Sequence, residues 1–152
     1  MNIVTGNLLT LAYEGEFDVI VQGCNCFNAM GGGIAREIAQ RFPEAALEDK
    51  KTTKGDYNKL GNYTQVEIED TFIIVNAYTQ YALSNGEDVF EYDAFKLILQ
   101  KLVREYPMAR FGFPLIGMGL ANGNKTRIMG MLAEFSEKVV ELGGTFTLVE
   151  FG

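Results

Sequence analysis

Phe17-Asp-Val-Ile-Val-Gln22 is a β-branched run with few polar interruptions, and it leads through Asn25-Cys-Phe-Asn-Ala-Met into three consecutive glycines, Gly31, Gly32 and Gly33. From Ile34 the apolar positions Ile34, Ala35, Ile38, Ala39 and Phe42 recur at helical spacing, with Pro43 as a boundary. A strand apolar on both faces needs cover on both sides, so strand, glycine loop and helix in this order point to an α/β sandwich. Glycines let a backbone approach a ligand closely, and the helix start offers unpaired N–H groups to an anion. The same cluster can serve as a tight turn with no ligand, and both readings stand at this point. The spacing is not G-x-G-x-x-G, and no Gly-Lys-Ser/Thr follows, which disfavours a lysine-clamped nucleotide triphosphate site.

The rest of the chain repeats the alternation. Ile3-Val4 begins a short strand, Asn62-Tyr-Thr-Gln-Val-Glu-Ile68 and Thr71-Phe-Ile-Ile-Val-Asn76 read as a hairpin beside the first two strands, and Val89 to Tyr106 as a helix. Arg110-Phe-Gly-Phe-Pro114 is a further short strand, entering a second glycine-rich loop, Leu115-Ile-Gly-Met-Gly-Leu-Ala-Asn-Gly123. A helix from Asn124 or Lys125 to Leu142 stops at Gly143-Gly144, and Thr145-Phe-Thr-Leu-Val-Glu-Phe151 supplies a last strand. The expected architecture is a three-layer α/β/α sandwich with a central mixed sheet, one domain over residues 1–152. Both glycine loops follow strands, and ligands bind beyond the carboxyl ends of strands in such sheets, so the loops are expected to form two walls of one cleft.

Composition closes off several chemistries. The net charge of −7 argues against general nucleic-acid or anionic-membrane binding. Lys50-Lys51-Thr-Thr-Lys54 is basic but short, and reads as a solvated surface segment. The start of the chain lacks a signal-peptide pattern and no window approaches the ~18 apolar residues of a membrane span, so a cytoplasmic location is expected. Cys24 and Cys26 are too close for a disulfide and, without any histidine, complete no standard zinc site; reduced thiols, no metal and no cofactor are expected. The absence of histidine also removes Ser-His-Asp and Cys-His chemistry.

Thr5-Gly-Asn-Leu8, Gln22-Gly-Cys-Asn25 with the Gly31–Gly33 triplet, and Pro114-Leu-Ile-Gly-Met-Gly-Leu120 together resemble the macrodomains, which bind ADP-ribose and its derivatives, over nearly the whole chain. Cys24-Asn-Cys26, Gly-Gly-Gly-Ile-Ala35 and Arg41-Phe-Pro-Glu-Ala45 look most like the branch of yeast-type ADP-ribose 1″-phosphate phosphatases. The resemblance implies that Asn25 faces the distal ribose, that Gly31 to Ile34 hold the diphosphate from one side, and that Ile116, Gly117, Met118, Gly119 and Leu120, after Pro114, close over it from the other. It also places Asn7 where many members carry an aspartate that accepts from the adenine amino group, with the Leu8 backbone beside it. Phe151 is a candidate wall for the adenine, with core packing or a loose terminus as the alternatives. Asn25 has its own alternative as a turn residue capping neighbouring backbone.

For catalysis the resemblance implies less. The phosphatase branch can carry a histidine before its Cys-Asn-Cys, where this chain has Gln22, and deglycosylating members use a lysine and an aspartate where this chain reads Ala77-Tyr-Thr-Gln80 and Leu120-Ala-Asn122. Asn25 or Asn28 would orient water, with the loop N–H groups polarising a phosphate. A thiol-phosphatase reading of Cys24 and Cys26 lacks the Cys-x5-Arg loop. Three functions follow as expectations: hydrolysis of ADP-ribose 1″-phosphate, sequestration of free or protein-linked ADP-ribose without chemistry, and removal of ADP-ribose from modified macromolecules.

Overall fold

In the computed structural model, which describes residues 1–83 and 86–151, the β-branched run forms β2 (Val19–Cys24) at the centre of a six-stranded sheet. Its flanking strands are β4 (Phe72–Tyr78) and β5 (Arg110–Phe113), both parallel to it. The sheet continues through β6 (Thr145–Glu150) to β1 (Asn2–Thr5) on one side, again parallel, and ends on the other at β3 (Tyr63–Ile68), antiparallel to β4. The spatial order is β1-β6-β5-β2-β4-β3.

Side-chain alternation along the strands sets the layers. Val19, Val21, Phe111, Phe113, Phe146 and Leu148 share one core with α4 (Tyr92–Glu105) and α5 (Lys125–Glu141), where Phe111, Phe113, Phe135 and Phe146 stack edge-on or tilted. Ile20, Ile74, Ile68 and Val149 share the other with α1 (Leu8–Tyr13), α2 (Gly33–Arg41) and α3 (Pro43–Lys50). Each fully buried Leu, Ile, Val or Phe contributes roughly 1.5–3 kcal/mol relative to exposure. The result is the expected α/β/α sandwich with a mixed sheet.

Four details depart from the sequence reading. The hairpin does lie beside β2, but β1 stands at the opposite edge with β5 and β6 between them, because parallel neighbours require crossovers that carry the chain across the sheet. α1 and α3 are additional helices. α1 is only six residues long, too short to display periodicity, and Pro43 both follows α2 and opens α3, since a proline is accommodated at a first helical position. α4 begins at Tyr92 rather than Val89, because Phe90 pairs with Gln80 in an isolated β-bridge and Glu91, the N-cap, is still extended. The lysines of the Lys50–Lys54 run are exposed as expected, but Lys50 ends α3 and Thr52 bonds inward to Asn28.

Candidate functional site

Five parallel strands point the same way, so the segments leaving β1, β2, β4, β5 and β6 gather at one edge of the sandwich. This edge receives Gly6-Asn7, the Asn25–Gly33 loop, Thr79, the loop from Pro114 and Phe151. The two glycine loops meet there. A Cβ built on Gly32 would stand 2.9 Å from Leu120 Cδ1, so glycine at this position lets the second loop lie against the first. Gly117 takes φ +75, and any Cβ on it would fall 2.6 Å from the Phe90 ring, which seats the second loop on the core. Gly31 and Gly119 face open space.

Gly32 is the N-cap of α2 and has no side chain to close the helix. The helical bonding begins with Arg36 N to Gly32 O at 3.4 Å, leaving the N–H groups of Gly33, Ile34 and Ala35 in the first turn without a helical acceptor. No acidic residue occupies that turn. The cradle therefore combines backbone donors, a positive helix end and an absence of side-chain competition, which suits a phosphate oxygen.

Asn25 is buried, 6% exposed, and its amide ties its own loop together: Oδ1 accepts from Phe27 N at 2.8 Å and Nδ2 donates to Ala29 O at 2.9 Å. Asn28, in the left-handed region at φ +58, turns its amide to the neighbouring segment. Its Oδ1 accepts from Lys59 Nζ at 2.6 Å and from the Thr52 hydroxyl at 3.1 Å, while Nδ2 donates to Thr52 O. Both amides hold the loop's shape in this arrangement. Lys59 is one residue the sequence reading missed. It is 7% exposed, also donates to Cys26 O at 3.1 Å, and lies 4.8 Å from the Tyr78 ring centroid. Its loop lies 31 residues beyond Asn28, so no local spacing marks it.

A cavity of about 400 Å³ opens beside the cradle, lined by Gly6, Asn7, Leu8, Leu9, Gly33, Ile34, Glu37, Pro114, Leu115, Val149 and Phe151. It brings together Asn7, Leu8, Gly33, Ile34, Pro114 and Phe151 from the sequence-derived set. Gly31, Gly32 and Ile116 to Leu120 belong to the adjoining loops. Phe151 is 78% exposed and stands at the cavity rather than in the core. Asn7 is the N-cap of α1: its Oδ1 accepts from Thr10 N at 3.0 Å and from Arg41 at 3.4 Å, and its Nδ2 donates to Glu37 Oε1 at 3.2 Å. Glu37 is a second residue missed from sequence, although its place one turn after Gly33 and Ile34 puts it on their face of α2.

Behind the cleft, Gln22 Oε1 and the Thr79 hydroxyl are buried without a hydrogen-bond partner among the described residues. Thr79 Oγ1 lies against Gly23, with no base bonded to it. Burial pushes the Cys24 thiol well above its ordinary value and raises that of Cys26, so neither is an activated thiolate. Among the described residues no group of three or more His, Cys, Asp or Glu is placed to hold a metal, and no helix is long and apolar enough to cross a membrane.

No family model matches the sequence. The chain is 32% identical over 144 residues to an uncharacterized 17.5 kDa protein from the tk–vs intergenic region of Enterobacteria phage T4, covering 90% of each. Among solved structures, the macrodomain of Mycobacterium tuberculosis DarG superposes with a TM-score of 0.73 at 21% identity, over 100% of this chain and 99% of that one. A Trypanosoma brucei macrodomain in complex with ADP-ribose superposes with a TM-score of 0.69 at 16% identity, over 99% of this chain and 63% of that one. At these identities the likeness is one of fold.

Proposed function

Because the chain belongs to the family of the phage T4 17.5 kDa protein and has the macrodomain fold, we propose that its cleft binds ADP-ribose. The observation that carries this reading is the contact of the two glycine loops, with Leu120 against Gly32 over the open N-terminus of α2. In the proposed complex the diphosphate lies on the N–H groups of Gly33, Ile34 and Ala35, and the adenine enters the cavity between Leu8, Ile34 and Phe151. The distal ribose then reaches the Asn25 loop. The T. brucei macrodomain, captured with ADP-ribose, supports this choice of ligand.

The activity we assign to the same site is hydrolysis of ADP-ribose 1″-phosphate. The resemblance of Cys24-Asn-Cys26 and the glycine triplet to the phosphatase branch supports it, together with loop N–H groups able to polarise a phosphate. The Asn25–Gly33 segment contains no carboxylate and the chain no histidine, so a protein general base is missing from that segment and turnover is expected to be slow. The position after β4 carries Thr79 without a base, which disfavours nucleophilic removal of ADP-ribose from macromolecules. Calorimetric titration with ADP-ribose tests the binding, and absence of saturable heat overturns it. Phosphate release from ADP-ribose 1″-phosphate tests the chemistry: binding without release leaves a non-catalytic ADP-ribose module.

A further inference from the structure

Asn7 occupies the place where an acceptor for the adenine amino group is expected, yet its one side-chain oxygen is already spent on Thr10 N and Arg41. Its amide nitrogen instead holds Glu37 Oε1 at 3.2 Å. Glu37 comes from α2, lines the same cavity as Leu8, Ile34 and Phe151, and makes no ion pair within 4 Å among the described residues. Its Oε2 has no hydrogen-bond partner among them. Glu37 is half-buried, so a donor entering the cavity can reach this oxygen.

We propose that Glu37 is the base-selecting residue of this cavity, its free oxygen accepting a hydrogen bond from the exocyclic amine of a 6-aminopurine. The inference rests on the ADP-ribose reading and deepens it. Adenine presents an N6 amine, which donates to a carboxylate; hypoxanthine presents a 6-oxo oxygen, which only accepts, and would face Glu37 acceptor to acceptor. Asn7 is then a positioning residue: it fixes the near oxygen of Glu37 and leaves the far one for the base. Rejection of the 6-oxo base comes from the unfavourable contact as much as acceptance of adenine from the favourable one.

The test is calorimetric titration of the wild type, Glu37→Gln and Glu37→Ala with ADP-ribose and with inosine diphosphate ribose, alongside melting curves for each protein. The wild type is expected to prefer the adenine ligand by roughly tenfold or more, the scale of one well-placed charged hydrogen bond. Glu37→Gln, whose amide can accept or donate, is expected to bring the two ligands within about threefold, and Glu37→Ala to lose preference through weaker binding of the adenine ligand. Unaltered discrimination in both variants, with folding intact, overturns the role of Glu37 while leaving the cleft assignment standing. Equal binding of both ligands by the wild type has the same meaning. Failure of the wild type to bind either ligand overturns the ADP-ribose reading itself, and this inference with it.

Discussion

Leu120 Cδ1 stands 2.9 Å from the point where a Gly32 side chain would begin, although 88 positions separate the two residues in sequence. Leu120 is 71% exposed, so it spans the mouth of the cleft rather than filling a core. A side chain on Gly32 would meet the end of a flexible leucine rather than backbone, at an ordinary φ of −142. Fold and ligand binding should therefore be separable at this position.

Gly32→Glu is accordingly expected to unfold within a few degrees of the wild type while losing ADP-ribose affinity by more than about tenfold, since a carboxylate placed at the helix start competes for the donors a phosphate would use. Calorimetric titration and a thermal melt together check this. Unchanged affinity would move the diphosphate away from α2.

Asn25→Ala removes the bonds to Phe27 N and Ala29 O, each contributing about 1 kcal/mol net. Asn25→Asp retains an acceptor for Phe27 N but loses the donor to Ala29 O, so its affinity for ADP-ribose should fall between those of wild type and Asn25→Ala. If either variant keeps wild-type affinity but loses phosphate release, Asn25 positions the reacting group in addition to shaping the loop.

Lys59→Met leaves Asn28 Oδ1 without its shortest partner and removes a donor from Cys26 O, both at partly or fully buried sites. A loss of about 2–4 kcal/mol is expected in urea unfolding, the usual scale for a buried charged hydrogen bond removed from one side. A loss below ~0.5 kcal/mol would mean that Lys59 does not anchor the Asn25–Gly33 loop.

Asp18 accepts from the Arg110 side chain, with Oδ1 2.9 Å from Nη2, and also from Arg110 N; the Arg110 hydrogen bond holds its carboxyl below the ordinary value. A depressed carboxyl pKa stabilises the fold above the unfolded value near ~3.9 and loses that contribution as pH falls through the folded value. Asp18→Asn should therefore be less stable than wild type at pH 7, with the difference shrinking below about pH 4. Because both side chains are well exposed, that difference should stay near or below ~1 kcal/mol and weaken in salt. A gap that is unchanged at pH 3 would argue against the ion pair as its source.

Much of this molecule is legible along the chain because its signals are local. The β-branched run of β2, the helical spacing of α2, α4 and α5, and the Gly143-Gly144 stop each depend on neighbours within a few residues, and the structure places elements there. The hairpin of β3 and β4 is likewise a short-range pattern, turned by Glu69 and Asp70 at positive φ. α1 was hidden by its length, and α3 by a proline that serves two helices at once.

What only the tertiary structure decided is which polar groups remain free. From sequence, Asn7, Asn25 and Asn28 are three amides of equal promise, and Glu37 and Lys59 are ordinary charged residues. Folding spends the Asn7 oxygen on a helix cap, ties Asn25 into its own loop and turns Asn28 to Lys59, while leaving one oxygen of Glu37 facing a cavity. The bonds of Asn7 to Thr10 and of Asn25 to Phe27 and Ala29 are local, but those between Asn7 and Glu37 and between Asn28 and Lys59 cross 30 and 31 positions, and no periodicity encodes them. The amino-acid sequence determined the layers and the two glycine loops through local backbone preference and burial; the packing of those loops determined where a donor or acceptor is still available to a ligand.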